Sequence, residues 1–259
     1  MIYVCVTAHN DARTVGLLLW KIRRVFGQGN HECQLLVADD RSSDETPDVL
    51  QRYQRALPIT VVSPTRPGPG GCHTALLEEA VRRSDRVRRD AAILIPANFS
   101  VSPDSLTELL RRLESGADLV VAEAPAPRQW SHRAVRRMTP WLLRPGIRVP
   151  GVTDFCSGCL AVRLVAARAA LREREGKLLD YDGSAGYAEL VARLAAASRQ
   201  VATATLTAGA ADLFPPEGAL SLALALRRLG RTTQIDAPLA PATTSPANAT
   251  TRRRTSRAS

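Results

Sequence analysis

The residues best suited to chemistry sit where apolar runs end. In LLVADDRSSDET, Asp39 and Asp40 close such a run, and Ser42 and Asp44 follow at once. Charged acceptors at a strand end can take hydrogen bonds from a base edge or ribose hydroxyls without burying an unpaired charge. The same residues also have the composition of an exposed turn and helix cap. In PTRPGPGGCH, Gly68, Gly70 and Gly71 could bring backbone amides against a diphosphate at a helix N-terminus; with Pro67 and Pro69 beside them they could equally form a rigid turn. The basic stretch RQWSHRAVRRMTPW places Arg133 and Arg137 at i and i+4, on one helix face. Two guanidinium forks there could clamp a diphosphate, and the other reading is a solvated basic face or one resting on anionic lipid. Asp180 and Asp182 in LLDYDG look like a second acidic pair but read first as a plain turn, with Gly183 supplying the turn residue. Cys156 and Cys159 form a lone C-x-x-C with neither a second pair nor a histidine cluster at zinc spacing, so they read as small residues filling a turn. His73 reads as a surface histidine near the glycines. Trp130 and Trp141 could stack on a sugar or lie at a lipid interface, and at least one is expected in the core.

These positions are punctuation in an alternating pattern. IYVCVTA, CQLLVAD, ITVVS, AAILIPA and DLVVAEA are short β-rich runs, and helical periodicity separates them over Ala12 to Phe26, Asp44 to Ala56, Gly71 to Arg83 and Pro103 to Leu113. Strand–helix–strand units at this spacing predict an α/β fold, a mostly parallel, Rossmann-like sheet with helices on both faces, whose ligands bind beyond the carboxyl ends of the strands. After Glu123 the chain passes through the basic Trp-bearing stretch, a glycine-containing strand, and helices near Tyr187 to Ala197 and Gly218 to Leu229. One domain over residues 1–230 is expected, followed by a disordered basic tail over 231–259, rich in Thr, Pro, Ala and Arg and without apolar periodicity.

The 259 residues are 45% hydrophobic, enough for a substantial core, and the formal net charge of +10 favours anionic partners. Five arginines and one acid follow residue 230, so +4 of that charge belongs to the tail. Only 4% of residues are aromatic and no nucleic-acid-binding module is present, so no specific nucleic-acid partner is expected beyond loose contact through the tail. An odd number of scattered cysteines argues against a disulfide framework and for a reducing cytoplasm. MIYVCVT opens on a strand pattern without a leader, and no apolar run reaches the ~18 residues of a membrane span, so a soluble chain, peripheral to a membrane at most, is expected.

Taken in order, VTAHNDARTVGLLLWKI, LLVADDRSSDET, PTRPGPGGCHTALLEEA and TDFCSGCLAVR resemble the family 2 inverting glycosyltransferases of GT-A fold. The resemblance is to the branch of dolichyl-phosphate mannose synthase and other polyprenyl-phosphate sugar transferases, and it covers roughly Met1 to Leu229. It implies a nucleoside-diphosphate sugar as donor and a small-molecule or polyprenyl-phosphate acceptor. It also implies a nucleoside pocket built from Thr7, His9, Asp11, Asp39 and Asp40, with Gly70 and Asn98 near the phosphates and sugar. Asp154 matches the family's acidic residue before Ser-Gly and is the expected general base. In the family the strand corresponding to AAILIPANF ends in Asp-x-Asp, which holds Mg²⁺ or Mn²⁺ against the diphosphate. Here Pro96 and Asn98 stand in those places. Three explanations follow: a metal-independent transferase in which cationic side chains neutralise the diphosphate, with Arg128, Arg133, Arg136 and Arg137 as candidates, a degenerate nucleotide-binding or scaffold protein, and reuse of the fold for other transfer chemistry. The first is the expectation adopted.

Overall fold

The computed structural model describes residues 1–27, 31–123, 130–174, 177–206 and 218–237. Its centre is a seven-stranded sheet: β1 (Ile2–Ala8), β2 (Cys33–Asp39), β3 (Ile59–Val62), β4 (Ala91–Pro96), β5 (Leu119–Glu123), β7 (Leu160–Arg163) and β8 (Val201–Thr205), in the order β3-β2-β1-β4-β7-β5-β8. All pairings are parallel except those of β7, which runs antiparallel to both neighbours. A second sheet is a two-residue parallel pair, β6 (Ile147–Arg148) with β9 (Ile235–Asp236).

The strands read as continuous apolar runs because both faces are covered. Along β1 the period-2 alternation sends Tyr3 and Cys5 to one layer and Ile2, Val4, Val6 and Ala8 to the other. The first layer packs on α3 (Pro69–Arg83), α6 (Leu164–Glu173), α7 (Gly183–Ala196) and α8 (Ala219–Thr232). The second packs on α1 (Val15–Gly27), α2 (Thr46–Ala56) and α4 (Leu106–Glu114), the last entered through a 3₁₀ turn over Pro103–Ser105. A further helix, α5 (Trp130–Leu142), lies beside α8.

The predicted strands and helices of the first half all form, and the mostly parallel sheet with helices on both faces is present. The expected break at residue 230 falls inside α8: Arg231 completes its last turn, and Ile235–Asp236 pairs with β6. A Thr-rich segment without apolar period is held there by backbone pairing, which periodicity does not register. The rest of the expected tail, from residue 238, lies outside the described residues. Both tryptophans of α5 face outward, Trp130 80% and Trp141 62% exposed, which corrects the expectation of a core position for one of them. The buried face of α5 is filled instead by Thr139 and Leu142.

Candidate active site

The carboxyl ends of β1, β2 and β4 lie side by side, with Thr7 in register with Ala38 on one flank and Pro96 on the other. The chain leaves β1 through Asn10, in the left-handed region at φ 56°, a conformation asparagine tolerates better than most residues. Its backbone N–H donates to Ser42 Oγ at 2.8 Å, and its side-chain oxygen accepts from the Ser43 N–H at 2.9 Å. Asp11 is tied back through its N–H to Thr46 Oγ1 and accepts the N–H of His9 on Oδ2 at 3.0 Å. Burial is the largest influence on Asp11 and raises its pKa above the ordinary carboxyl value. His9 Nδ1 lies 2.8 Å from the carbonyl oxygen of Asp40 and so donates to it, leaving Nε2 to accept from the Asn10 amide at 3.2 Å. The two loops following β1 and β2 are thereby locked together, and four of the residues expected to form a nucleoside pocket, His9, Asp11, Asp39 and Asp40, lie in them.

Asp39 and Asp40 have different tasks. Asp39 Oδ1 accepts the Ser42 hydroxyl at 2.5 Å and stays half-buried at the strand end. Asp40 turns the other way and accepts the N–H of Gly68 at 2.8 Å, across to the glycine-rich loop. The capping duty that composition alone suggested falls to Asp44, which accepts the N–H groups of Thr46 and Ala12 and whose pKa is lowered, chiefly through Thr46.

The glycine-rich loop is occupied from within the protein. Gly68, at φ 90°, caps α3, and Pro69 opens its first turn. The N–H of Gly70, expected to face the diphosphate, donates to Asp182 Oδ1 at 3.1 Å. A Cβ at Gly70 would stand 2.7 Å from that same oxygen, so glycine is required by the close approach. Asp182, read from sequence as part of a plain turn, is thus a built part of this cradle. The signal that could have found it is the i, i+7 spacing to Glu189 on α7: the Glu189 carboxylate is fully buried, accepts the backbone N–H groups of Asp180 and Tyr181, and is ion-paired with Arg193 at 2.5 Å. The loop holding Asp182 is pinned by a charge inside the core.

His73, one turn into α3, is buried rather than exposed. Burial pushes its pKa down to about 4, and its ring meets that of Tyr187 at 6.3 Å. Tyr187 donates its hydroxyl to the Cys159 carbonyl at 2.7 Å and meets Ser157 Oγ at 3.3 Å. The C-x-x-C segment is therefore the packed turn that its small residues suggested, with burial raising the Cys159 thiol to about 12.

Asp154 lies on the loop entering β7, 2% exposed, where Oδ1 accepts the Cys156 N–H at 2.9 Å and Oδ2 stands 3.6 Å from Arg136 Nη2. Arg136 is the arginine of α5 that turns inward. Arg133 and Arg137, chosen for their shared face, share an exposed one. On this helix Arg136 falls with Thr139 on the inner side, whereas the i, i+4 pair lies outside; spacing showed that the two arginines align but not toward which side. The Asp154 loop passes over the end of β4: a Cβ at Gly158 would stand 3.7 Å from Pro96.

The divalent ion implied by the resemblance is a poor match to this strand end. Pro96 has no ligand atom, and the side-chain oxygen of Asn98 already accepts the Ser100 N–H at 2.9 Å. Among the described residues no group of three or more His, Cys, Asp or Glu side chains could hold a metal ion.

The description Glycosyl transferase family 2 matches residues 3–170, nearly two thirds of the chain and all of the strand-end loops above. The chain belongs to this family. Among curated proteins it is 27% identical over 176 residues to the undecaprenyl-phosphate 4-deoxy-4-formamido-L-arabinose transferase of Pseudomonas syringae pv. syringae, covering 66% of this chain and 50% of that protein. The Pseudomonas fluorescens enzyme of the same name is 26% identical over 158 residues, 61% of this chain and 44% of that one. The chain therefore spans about half the length of the curated relatives it matches. Among solved structures, glucosyl-3-phosphoglycerate synthase of Mycobacterium tuberculosis superposes with a TM-score of 0.61 at 20% identity, over 88% of this chain and 77% of that one. The same enzyme bound to uridine diphosphate gives 0.62 at 19% identity, over 89% and 80%. This likeness is one of fold, and it confirms the GT-A-like architecture.

Proposed function

We propose that the protein transfers a sugar from a nucleoside-diphosphate sugar to an acceptor with inversion, and that it does so with little dependence on a metal at the end of β4. The observation that carries the reading is the joined pair of loops after β1 and β2, where Asp39, Asp11 and His9 converge beyond the sheet of a family 2 glycosyltransferase. Thr7, Asp39 and Asp40 line or brace the nucleoside pocket. Asp154 serves as general base: it takes the proton of an acceptor hydroxyl as that oxygen bonds to the anomeric carbon and the bond to the nucleoside diphosphate breaks, the electron pair leaving with the diphosphate. Arg136, beside Asp154, supplies positive charge on the side where the acceptor enters. If the acceptor is itself a phosphate, its oxygen is already anionic and Asp154 only orients the loop.

The relatives named for undecaprenyl phosphate support a polyprenyl-phosphate acceptor, and the neighbours solved with UDP-glucose make uridine diphosphate the first donor base to test. The odd number of scattered cysteines, none of them in a disulfide, supports a cytoplasmic placement. Among the described residues no helix is long and apolar enough to cross a membrane. Calorimetric titration of the full chain with UDP, GDP and dTDP, each with and without Mn²⁺, tests the reading. Binding of one diphosphate that Mn²⁺ leaves unchanged and Asp39→Ala weakens supports it. Binding that requires Mn²⁺ removes the metal-independent part, and no binding of any nucleotide overturns the whole.

A further inference from the structure

The outer side of α5 exposes large apolar side chains and is not a solvated polar face. Trp130, Ala134, Met138 and Trp141 recur at i, i+4, i+8 and i+11, so they form one stripe about 16 Å long, with the two tryptophans 80% and 62% exposed. Arg133 and Arg137 flank the stripe. Beside it, α8 shows a second stripe of the same kind: Leu220, 76% exposed, and Leu224, 60% exposed, continue along the helix into Arg227 and Arg231. The two stripes belong to one surface, because Trp141 and Arg144 line a single cleft together with Arg227 and Arg231. The helices are held in this relation by backbone contact: the Gly146 N–H donates to the Gly230 carbonyl at 3.0 Å, and β6 pairs with β9 just beyond. Neither helix contains an acidic residue, and the sequence holds none between Glu123 and Asp154.

Exposed tryptophan and leucine edged by arginine, with acids absent, is the composition of a surface that lies in a bilayer interface, apolar rings at the acyl boundary and guanidinium groups among anionic headgroups. We propose that the joined outer face of α5 and α8 docks on an anionic lipid bilayer. A second protein chain with a polar rim would leave these arginines facing one another across a twofold contact, whereas an anionic membrane complements every charge on the face. The geometry also sets a direction: the same helix that presents Trp130 and Trp141 outward turns Arg136 inward to Asp154, so a bound bilayer lies one helix diameter from that carboxylate. The inference rests on the surface and not on sugar transfer, and vesicle binding is read separately from nucleotide binding.

The test is flotation of the full chain with phosphatidylcholine vesicles, either pure or containing about one-third phosphatidylglycerol, together with the shift of tryptophan emission. Binding to the anionic vesicles only, with a blue shift, is expected. The double variant Trp130→Ser, Trp141→Ser and, separately, Leu220→Ser, Leu224→Ser should each weaken it by about tenfold or more, since interfacial affinity scales with buried apolar area. Replacing Arg252, Arg253, Arg254 and Arg257 by serine should change it by less than about threefold. Trp130, Trp141, Leu220 and Leu224 are exposed, so the helix variants stay folded, and unchanged circular dichroism and nucleotide titration confirm it. No binding to anionic vesicles overturns the proposal. So does binding that ignores both helix variants and is lost with the tail arginines. Light scattering that shows a dimer dissolved by the tryptophan variant also overturns it, since the face would then be covered by a second copy.

Discussion

Asp39 and Asp154 are both carboxylates beside the sheet edge, but their surroundings predict opposite kinetic signatures. Asp39 is half-buried and already oriented by Ser42, so it is poised to accept hydrogen bonds from a bound nucleoside. Asp39→Ala should raise the dissociation constant of the preferred nucleoside diphosphate by about ten- to hundredfold, the range of a hydrogen bond to a charged group; calorimetry reads it directly. Asp154 is deeply buried against Arg136. Asp154→Asn should leave nucleotide affinity within about twofold and lower turnover by roughly 10²–10⁴ with a hydroxyl acceptor, as loss of a general base does. A turnover loss below about tenfold would identify a phosphate acceptor instead. His73 makes a prediction about acid. Its pKa falls from 6.5 to about 4 on folding because the protonated ring cannot be solvated in the core. As pH drops through that interval the unfolded chain takes up a proton that the folded chain refuses, so stability is lost with falling pH and is fully present above the unfolded value. At about 1.4 kcal/mol per pH unit the loss is on the order of 3 kcal/mol near pH 4, and His73→Gln should flatten the slope of denaturation midpoint against pH between 6.5 and 4.

At the level of elements, the start of α7 controls the cradle around Gly68 and Gly70. Glu189 holds the backbone of Asp180 and Tyr181, and the next residue, Asp182, holds the Gly70 amide. Glu189→Ala would leave Arg193 with only its longer contact to Asp180 at 3.4 Å and would leave two amides without acceptors. A loss of about 3–5 kcal/mol in chemical denaturation is expected, typical of breaking a buried pair on one side only. The same arrangement gives a positive design to the Gly70 amide: its acceptor is a protein carboxylate, so an incoming diphosphate meets the negative charges of Asp40 and Asp182 before it meets the helix N-terminus. Asp182→Asn keeps the hydrogen bond while removing a charge, and should tighten nucleoside-diphosphate binding by about three- to tenfold, measurable in the same titrations.

For the whole molecule, α5 and α8 form a unit joined at Gly146 and Gly230 rather than through large side chains. A Cβ at Gly230 would stand 2.4 Å from the Leu143 carbonyl oxygen, so Gly230→Ala must push the two helix ends apart. Thermal unfolding should shift by an amount corresponding to about 1–3 kcal/mol. Vesicle binding should fall while nucleotide binding, proposed for the loops after β1 and β2, persists. The division matches the composition: neither α5 nor α8 holds an acidic residue, whereas the loops after β1 and β2 carry Asp11, Asp40 and Asp44.

The sequence by itself determined the architecture and marked the strand ends at which the candidate site is proposed. Period-2 runs, helical periods and their spacing are local properties, and DDRSSDET announces its own strand end and helix start because Asp39, Asp40 and Asp44 act within a few residues of where they stand. That Pro96 and Asn98 offer no carboxylate was equally plain, since it concerns only which atoms a position can offer. Tertiary structure decided everything that required knowing what faces what. It turned Arg136 inward and Arg133 and Arg137 outward on the same helix, brought Asp182 across 112 residues to Gly70, buried His73, and put Trp130 and Trp141 at the surface. It also carried the fold past residue 230 through backbone pairing of β9. Periodicity reports that a side is apolar or basic, but which side meets the core depends on the packing of distant elements, and no local pattern contains that.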